Sequence, residues 1–477
     1  MKKSLKIING IAMCLLLTLF VVLDCFAYRY KNHITMFLCG NGTDYSSEEY
    51  QEQKNESDKL ATQIAEEGIV LLKNQNNTLP LQDTIDLNVF GWSGCDNGMI
   101  YMGFGSGTAS TYNQISIYSA LRDIGYNLNE ELCELYNKQS FRRDTGWQAS
   151  SFKMYEPNEL LTERVMKNAK EFSSTALVVL SRFGMEAFDL PTHQRNEKGE
   201  KVNNNRSYLH ITEKEEELLN KVTDNFEKVI VVINSANTME LGFLDNEKID
   251  AALDIYFPGN NGSKALASIL CGAVTPSGHT VDTFAYDHTT GASYANNGAN
   301  VNTYTNFSKG YYVDYAENIY TGYYWYETAY YDGFWDSEYA KKKWNISGYK
   351  DVVQFPFGYG LSYTDFSWEV EEVNFKENDE LSADSEIEYK VKVTNIGKEY
   401  SGQDVVELYY SAPYYKNGIE KPSIKLGAFA KTKILDPGSS ETLTLKIKLE
   451  DMASYDCYDA NNNGFMGYEL EEGTYSL

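Results

Sequence analysis

The sequence predicts an α/β fold: a mostly parallel α/β sandwich followed by a separate all-β sandwich. Three observations carry this. From Ser57 onward, short β-rich apolar runs alternate with helical patterns, as in a parallel sheet covered by helices on both faces. Val178-Val179-Leu180 and Val229-Ile230-Val231-Val232-Ile233 are near-continuous apolar runs, as strands buried on both faces should be. After about Glu380 the pattern turns to strict alternation. Ile387, Tyr389, Val391 and Val393 interleave with Glu388, Lys390, Lys392 and Thr394, which suits an antiparallel sandwich with one wet face.

The elements follow in order. Lys2, Lys3 and Lys6 precede Ile7–Leu23, a stretch of 17 residues without a charge. That length sits at the lower edge of a membrane span, and the lysine flank should stay in the cytoplasm. Residues 1–28 therefore read as an uncleaved signal anchor. Cys25-Phe26-Ala27 also fits a small-x-small cleavage site, so a removed signal peptide is the alternative. Both readings export the remainder, either anchored and facing outside or secreted.

Residues 29–56 read as a polar connector. Ser57 is expected to cap a helix running to about Glu67, with Gly68 as its stop. Strands are expected at Ile69–Leu72, Leu87–Trp92, Thr175–Ser181, Lys228–Asn234 and Ala251–Phe257. Helical patterns lie between and after them at about 115–124, 129–138, 159–172, 213–226 and 261–271. Ten tyrosines crowd Tyr304–Tyr331 without clean periodicity, an ordered excursion on the domain. These segments make an α/β sandwich domain of residues 57–365. Residues 366–382 read as a linker. Residues 383–477 form the β module, with Asn395–Gly397 and Asp436-Pro437-Gly438 as turns. The last residues, Gly473–Leu477, look like the middle of a strand, so the module is expected to be incomplete at its end.

Composition narrows the function. A chain of 477 residues holds about two to four domains. The net charge of -26 argues against a nucleic-acid partner. The 7 cysteines include no Cys-x-x-Cys pair, so a disulfide framework is not expected. The 5 histidines are too dispersed for zinc, and no metal or cofactor is expected.

Three motifs bear on chemistry. Gly103-Phe104-Gly105-Ser106-Gly107 fits neither phosphate-loop pattern and reads as a tight loop at the sheet edge. Asp459, Asn461, Asn463 and Gly464 imitate half a calcium loop, but Leu470 stands where its final glutamate belongs, leaving a hairpin turn. Ser181-Arg182-Phe183-Gly184-Met185-Glu186-Ala187-Phe188-Asp189-Leu190-Pro191 follows a buried strand directly. Ligands of open α/β sheets bind at the carboxyl ends of strands, so this loop is well placed.

That loop resembles the Ser-Arg-x-Gly-Gly-Glu-Gly-x-Asp stretch of glycoside hydrolase family 3, with Met185 and Ala187 where glycines are usual. Other segments match in order. Glu66–Asn74 and Leu79-Pro80-Leu81 are similar to the opening of the family's second domain. Phe257-Pro258-Gly259-Asn260-Asn261-Gly262 and Thr275–Phe284 are similar to its turns, with His279 replacing an arginine. Ile319–Thr328 and Pro356–Tyr363 are the most specific matches. Val393-Thr394-Asn395-Ile396-Gly397 and Phe429-Ala430-Lys431-Thr432 resemble its fibronectin III-like module. The likeness spans about residues 57–477.

The resemblance implies retaining hydrolysis of β-glycosides, β-glucosidase- or β-xylosidase-like. It gives Glu186 the role of general acid/base, and it gives Arg182 and Asp189 either sugar contact or a structural pairing with each other. The family's nucleophile lies in a barrel domain, in a Ser-Asp-Trp context that this sequence lacks; Trp335-Asp336-Ser337 is a different order. A permuted group of the family runs anchor, sandwich, fibronectin-like module, then barrel, and the chain resembles that group without the barrel. Two functions follow as expectations. One is the acid/base portion of a β-glycosidase acting on β-linked oligosaccharides with a barrel supplied in cis or in trans, inactive alone. The other is a membrane-anchored, catalytically silent carbohydrate-binding or scaffold protein.

Overall fold

The computed structural model describes residues 2–31, 34–35, 46–82, 85–106, 113–143, 152–186, 189–294, 302–303, 311–312, 315–376 and 379–477. The chain divides into two compact units, Met1–Leu60 and Ala61–Leu477.

The first unit contains helix α1, Lys2–Arg29. Its Gly10–Arg29 stretch has mean hydropathy 2.4 and none of it is buried, so it is long and apolar enough to cross a membrane. Helix α2, Glu48–Gly68, begins earlier than expected. Ser47, not Ser57, caps it: the Ser47 hydroxyl accepts from the Tyr50 amide at 3.2 Å. Ser57 lies inside the helix and donates back to the Gln53 carbonyl at 2.9 Å.

The second unit is built on a six-stranded sheet of order β1-β6-β5-β4-β2-β3. The strands are β1 Val70–Asn74, β2 Asp86–Phe90, β3 Asn127–Leu128, β4 Thr175–Arg182, β5 Lys228–Ser235 and β6 Ala251–Asp254. All neighbours are parallel except β1, which runs antiparallel to β6 at the edge. Every residue of β4 is buried, and so is β5 from Val229 on. Helices α3 Ile117–Asp123, α4 Glu130–Asn137, α5 Glu163–Phe172, α6 Glu213–Thr223 and α7 Gly262–Leu270 follow the expected patterns. Ser116, Asn129, Thr162 and Thr212 cap the first four of these. Part of the tyrosine-rich stretch, 304–310 and 313–314, lies outside the described residues; its end forms helix α8, Tyr323–Tyr331.

After α8 the chain returns to the sheet. The Leu361 amide donates to the Leu71 carbonyl at 2.9 Å, and the Tyr359 hydroxyl donates to the Leu72 carbonyl at 3.1 Å. The segment that leaves the domain is thus fastened to the strand that opens it.

The β module follows. The span 366–382, expected as a linker, contains the strand Phe366–Val373, which pairs antiparallel with Glu386–Asn395. That strand pairs in turn with Ser440–Lys448, and Val405–Tyr410 pairs with Lys425–Lys431 as a second sheet. Val393, Leu445, Val406 and Leu435 form the core between them. The asparagine-rich turn is a hairpin closed by its own side chains, with Asn461 donating to Glu469 at 3.0 Å. Ser476 pairs with Ser411 through reciprocal backbone bonds of 2.8 and 3.0 Å.

Candidate functional site

The ends of β2, β4, β5 and β6 converge at the carboxyl edge of the sheet. Asn234, on the penultimate residue of β5 and wholly buried, fixes the loop after β2. Its Oδ1 accepts from the Ile100 amide at 2.7 Å, and its Nδ2 donates to the Ile100 carbonyl at 2.8 Å and the Tyr256 carbonyl at 2.7 Å. One side chain thereby ties the turn after β2 to the turn after β6. The Ser93 and Ser181 hydroxyls meet at 2.6 Å, and Arg143 donates to Ser181 at 2.9 Å and to the Gly98 carbonyl at 3.0 Å.

On this frame the loop after β4 meets the glycine-rich loop. Phe104 and Met185 form a parallel bridge, and the Glu186 amide donates to the Phe104 carbonyl at 2.9 Å. The Glu186 carboxylate accepts from the Ser106 amide at 2.7 Å and from the Ser106 hydroxyl at 3.0 Å. Gly105 makes the approach possible. Its φ is +152°, and a Cβ there would lie 2.5 Å from Glu186 Oε2, so a side chain would evict the carboxylate. The loop read as a simple tight turn is the cradle of Glu186; Gly107 lies outside the described residues. Gly105 and Ser106 were the functional positions that sequence reasoning missed. Their signal was a glycine-rich turn after β2, the parallel neighbour of the strand that carries Glu186.

Glu186 is exposed, yet the Ser106 amide, and then the Ser106 hydroxyl, hold its carboxyl below the usual range. A general acid near neutral pH needs the opposite shift. In this structure Glu186 is a carboxylate.

Arg182 is turned away from it. The guanidinium has five N–H donors, and all are committed: Nε to the Tyr208 carbonyl, Nη1 to the Ser181 carbonyl and Glu215, Nη2 to the His210 carbonyl and Glu215. Arg182 is 1% exposed. The expected sugar contact has no donor left to make it, and the expected pairing with Asp189 is replaced by one with Glu215. Asp189 is exposed and makes no hydrogen bond or ion pair with a described residue. Glu186 and Asp189 are thus each exposed, while Arg182 is withdrawn into the buried end of β4. Among the described residues, no group of three or more His, Cys, Asp or Glu side chains is arranged to hold a metal.

Comparison with known proteins gives the site a context. Residues 69–315 match the glycosyl hydrolase family 3 C-terminal domain, and residues 404–477 match a fibronectin type III-like domain. Beta-glucosidase A of Butyrivibrio fibrisolvens is 32% identical over 450 residues, 87% of this chain and 48% of that protein. A beta-glucosidase of Ruminococcus albus is 32% identical over 89% of this chain and 39% of its own length. Among solved structures, a beta-glucosidase from Paenibacillus barengoltzii superposes with TM-score 0.71 at 33% identity, covering 88% of this chain and 40% of that one. Beta-glucosidase 3B from Thermotoga neapolitana, solved with α-D-glucose, gives 0.66 at 26% identity, covering 84% of this chain and 50% of that one. The chain spans about half the length, or less, of these relatives.

Proposed function

The chain belongs to glycoside hydrolase family 3, and from that premise we propose that it is the acid/base-bearing portion of a retaining β-glycosidase. The nucleophile would come from a barrel domain joined in cis or in trans, and the substrate would be a β-linked glucoside or xyloside. The observation that carries this reading is Glu186: an exposed carboxylate at the carboxyl end of β4, held outward by Ser106.

Retaining hydrolysis needs two carboxyl groups about 5 Å apart, one attacking the anomeric carbon and one protonating the leaving oxygen. Glu186 supplies the second. Its lowered pKa belongs to an exposed side chain held by Ser106. A barrel closing over it would exclude water and bring a second negative charge near, and both effects raise a carboxyl pKa. Release from Ser106 would add to the rise. In the next half-reaction the same group would act as base toward water. Alone, the chain would hold the acid without its partner and would not hydrolyse aryl β-glucosides at an enzymatic rate. Helix α1 would anchor the protein in the membrane or direct its secretion, with the sandwich outside.

The test uses the chain joined to, or mixed with, a nucleophile-bearing barrel. Glu186→Ala should sharply slow substrates with poor leaving groups and spare activated aryl glycosides in the glycosylation step. Azide should partly restore turnover by attacking the glycosyl-enzyme without a general base. Equal loss across leaving groups without azide rescue would make Glu186 structural. A second reading, a silent carbohydrate-binding module, is favoured by the low pKa of Glu186 and its engagement with Ser106. Retained sugar binding with no turnover in the presence of a barrel would select it.

A further inference from the structure

Strand β5 is an unbroken apolar run from Val229 to Ile233, and it ends on two wholly buried polar residues, Asn234 and Ser235. A buried amide costs free energy unless its hydrogen bonds are made, and Asn234 makes three. Both Nδ2 protons and Oδ1 are spent on backbone groups, two at Ile100 and one at Tyr256. These bonds fix the orientation of the amide. With no exposed surface it can touch no ligand. What it holds is the start of the loop that reaches Ser106.

From Ile100 to Ser106 the backbone forms neither helix nor strand, apart from the single bridge of Phe104 to Met185. A segment with no ladder of its own must find its backbone partners elsewhere in the fold, and they set its place. Asn234 supplies two of them at Ile100. The Gly259 amide supplies another, donating to the Tyr101 carbonyl at 2.9 Å. Gly259 lies in the turn after β6, and Asn234 holds that turn as well. Tyr256, in the same turn, has φ +49°, a conformation that bulky side chains rarely adopt and that persists only where neighbours enforce it. Asn234 bonds its carbonyl, and Asp254 Oδ1 accepts from its amide at 2.9 Å. The loop has little room to shift. A Cβ at Gly103 would lie 3.0 Å from the Gly184 carbonyl oxygen and 3.5 Å from Phe257 Cε2. Gly105 and Ser106, which receive the Glu186 carboxylate, follow directly.

We propose that Asn234 is the positioning residue of the Glu186 site: it sets the place of the 100–106 loop, and through that loop it decides whether Ser106 meets the carboxylate. Asn234 itself makes no hydrogen bond to Glu186 or Ser106. Loss of its amide frees the loop at Ile100, parts Ser106 from Glu186 and lets Glu186 titrate as an ordinary glutamate. Calling the positioned group an acid/base rests on the hydrolase reading above; the control of its titration does not.

Carbon-detected titration of labelled glutamate in the full chain reads the Glu186 carboxyl without a barrel or a substrate, with Glu186→Gln assigning its signal. In Asn234→Ala the carboxyl should move up into the ordinary glutamate range. Asn234→Asp keeps the acceptor for the Ile100 amide and, buried, stays protonated where Glu186 titrates; it should move Glu186 part of the way. Asn88→Ala is the control. Asn88 is equally buried and donates to the Ala169 and Ser173 carbonyls at 2.9 and 3.1 Å. Its loss should lower the unfolding midpoint and leave the Glu186 titration where it is, as a merely structural role would. An unmoved Glu186 in the Asn234 variants, or an equal move in Asn88→Ala, overturns the proposal. If Asn234→Ala fails to fold, Asn234→Asp decides. A moved titration without any Glu186-dependent turnover in the presence of a barrel strikes the hydrolase reading alone. An unmoved titration beside intact turnover strikes the role of Asn234 alone.

Discussion

Glu215 holds Arg182 with the same carboxylate that closes the first turn of its own helix. Its Oε2 accepts from Arg182 Nη2 at 2.7 Å and from the Thr212 amide at 2.7 Å, while Thr212 accepts from the Glu215 amide at 3.0 Å. Strand β4 and helix α6 are joined at this point. Burial pushes the Glu215 carboxyl up, but Arg182 and Thr212 outweigh it and hold it below the usual range.

Removing one partner should therefore cost more than removing both. Arg182→Met leaves Glu215 buried and unpaired, a loss on the order of 3–5 kcal/mol. Arg182→Met with Glu215→Gln should recover part of it. Urea denaturation of the three proteins checks this. A double variant no more stable than Arg182→Met would mean that the pair is not coupled.

The cradle of Glu186 makes two separable predictions. Ser106→Ala removes the hydroxyl donor and keeps the amide, so the Glu186 carboxyl should rise part of the way toward its ordinary value. Carbon-detected titration of labelled glutamate reads that change. Gly105→Ala should do more, because its new Cβ collides with the carboxylate. Unchanged Glu186 titration in both variants would show that the cradle does not form in solution.

Two buried acids set a pH dependence of opposite sign to the usual one. Burial raises Glu156 to about 8, against the Trp92 amide that lowers it. Burial likewise raises Asp254 to about 8, against the Tyr256 amide. Both are protonated in the fold at neutral pH and ionised when unfolded. The unfolded chain then binds fewer protons, so stability falls as pH rises from about 4 through about 8. Glu156→Gln and Asp254→Asn should each relieve this loss, leaving stability near pH 4 little changed and raising it near pH 9. A tenfold change in a group's proton affinity is worth about 1.4 kcal/mol, so the gain should be on the order of 1–4 kcal/mol each. Denaturation midpoints across that range provide the check, and a constant difference between wild type and variant would refute it.

Export is testable on cells. The lysines ahead of Ile7–Leu23 would keep the N-terminus in the cytoplasm. Protease added to intact cells should digest the sandwich domain, and full protection would count against the topology. A mature N-terminus at Tyr28 would select a cleaved signal peptide over an anchor.

The sheet was readable because burial on both faces leaves short apolar runs rich in β-branched residues, as in β4 and β5. The first turns of α2 were not. That helix buries no residue, so Glu48–Ser57 carries no apolar stripe to reveal it. Strand β3 has two residues, too few for a period. Glu186 was visible through its loop, but its partner Ser106 lies 80 residues earlier, and Glu215 lies 33 residues after Arg182. Such pairings are made by the tertiary fold and leave no local pattern.

The fastening of Leu361 and Tyr359 onto β1 has an evolutionary reading. The polypeptide comes into the sandwich at β1 and departs beside the same strand, so both ends of the domain lie at one edge of its sheet. A domain of that kind is a cassette. A neighbour can be spliced on before it or after it, and every strand and helix within keeps its place. Gene rearrangements that reorder such modules would therefore leave the loop that bears Glu186 undisturbed.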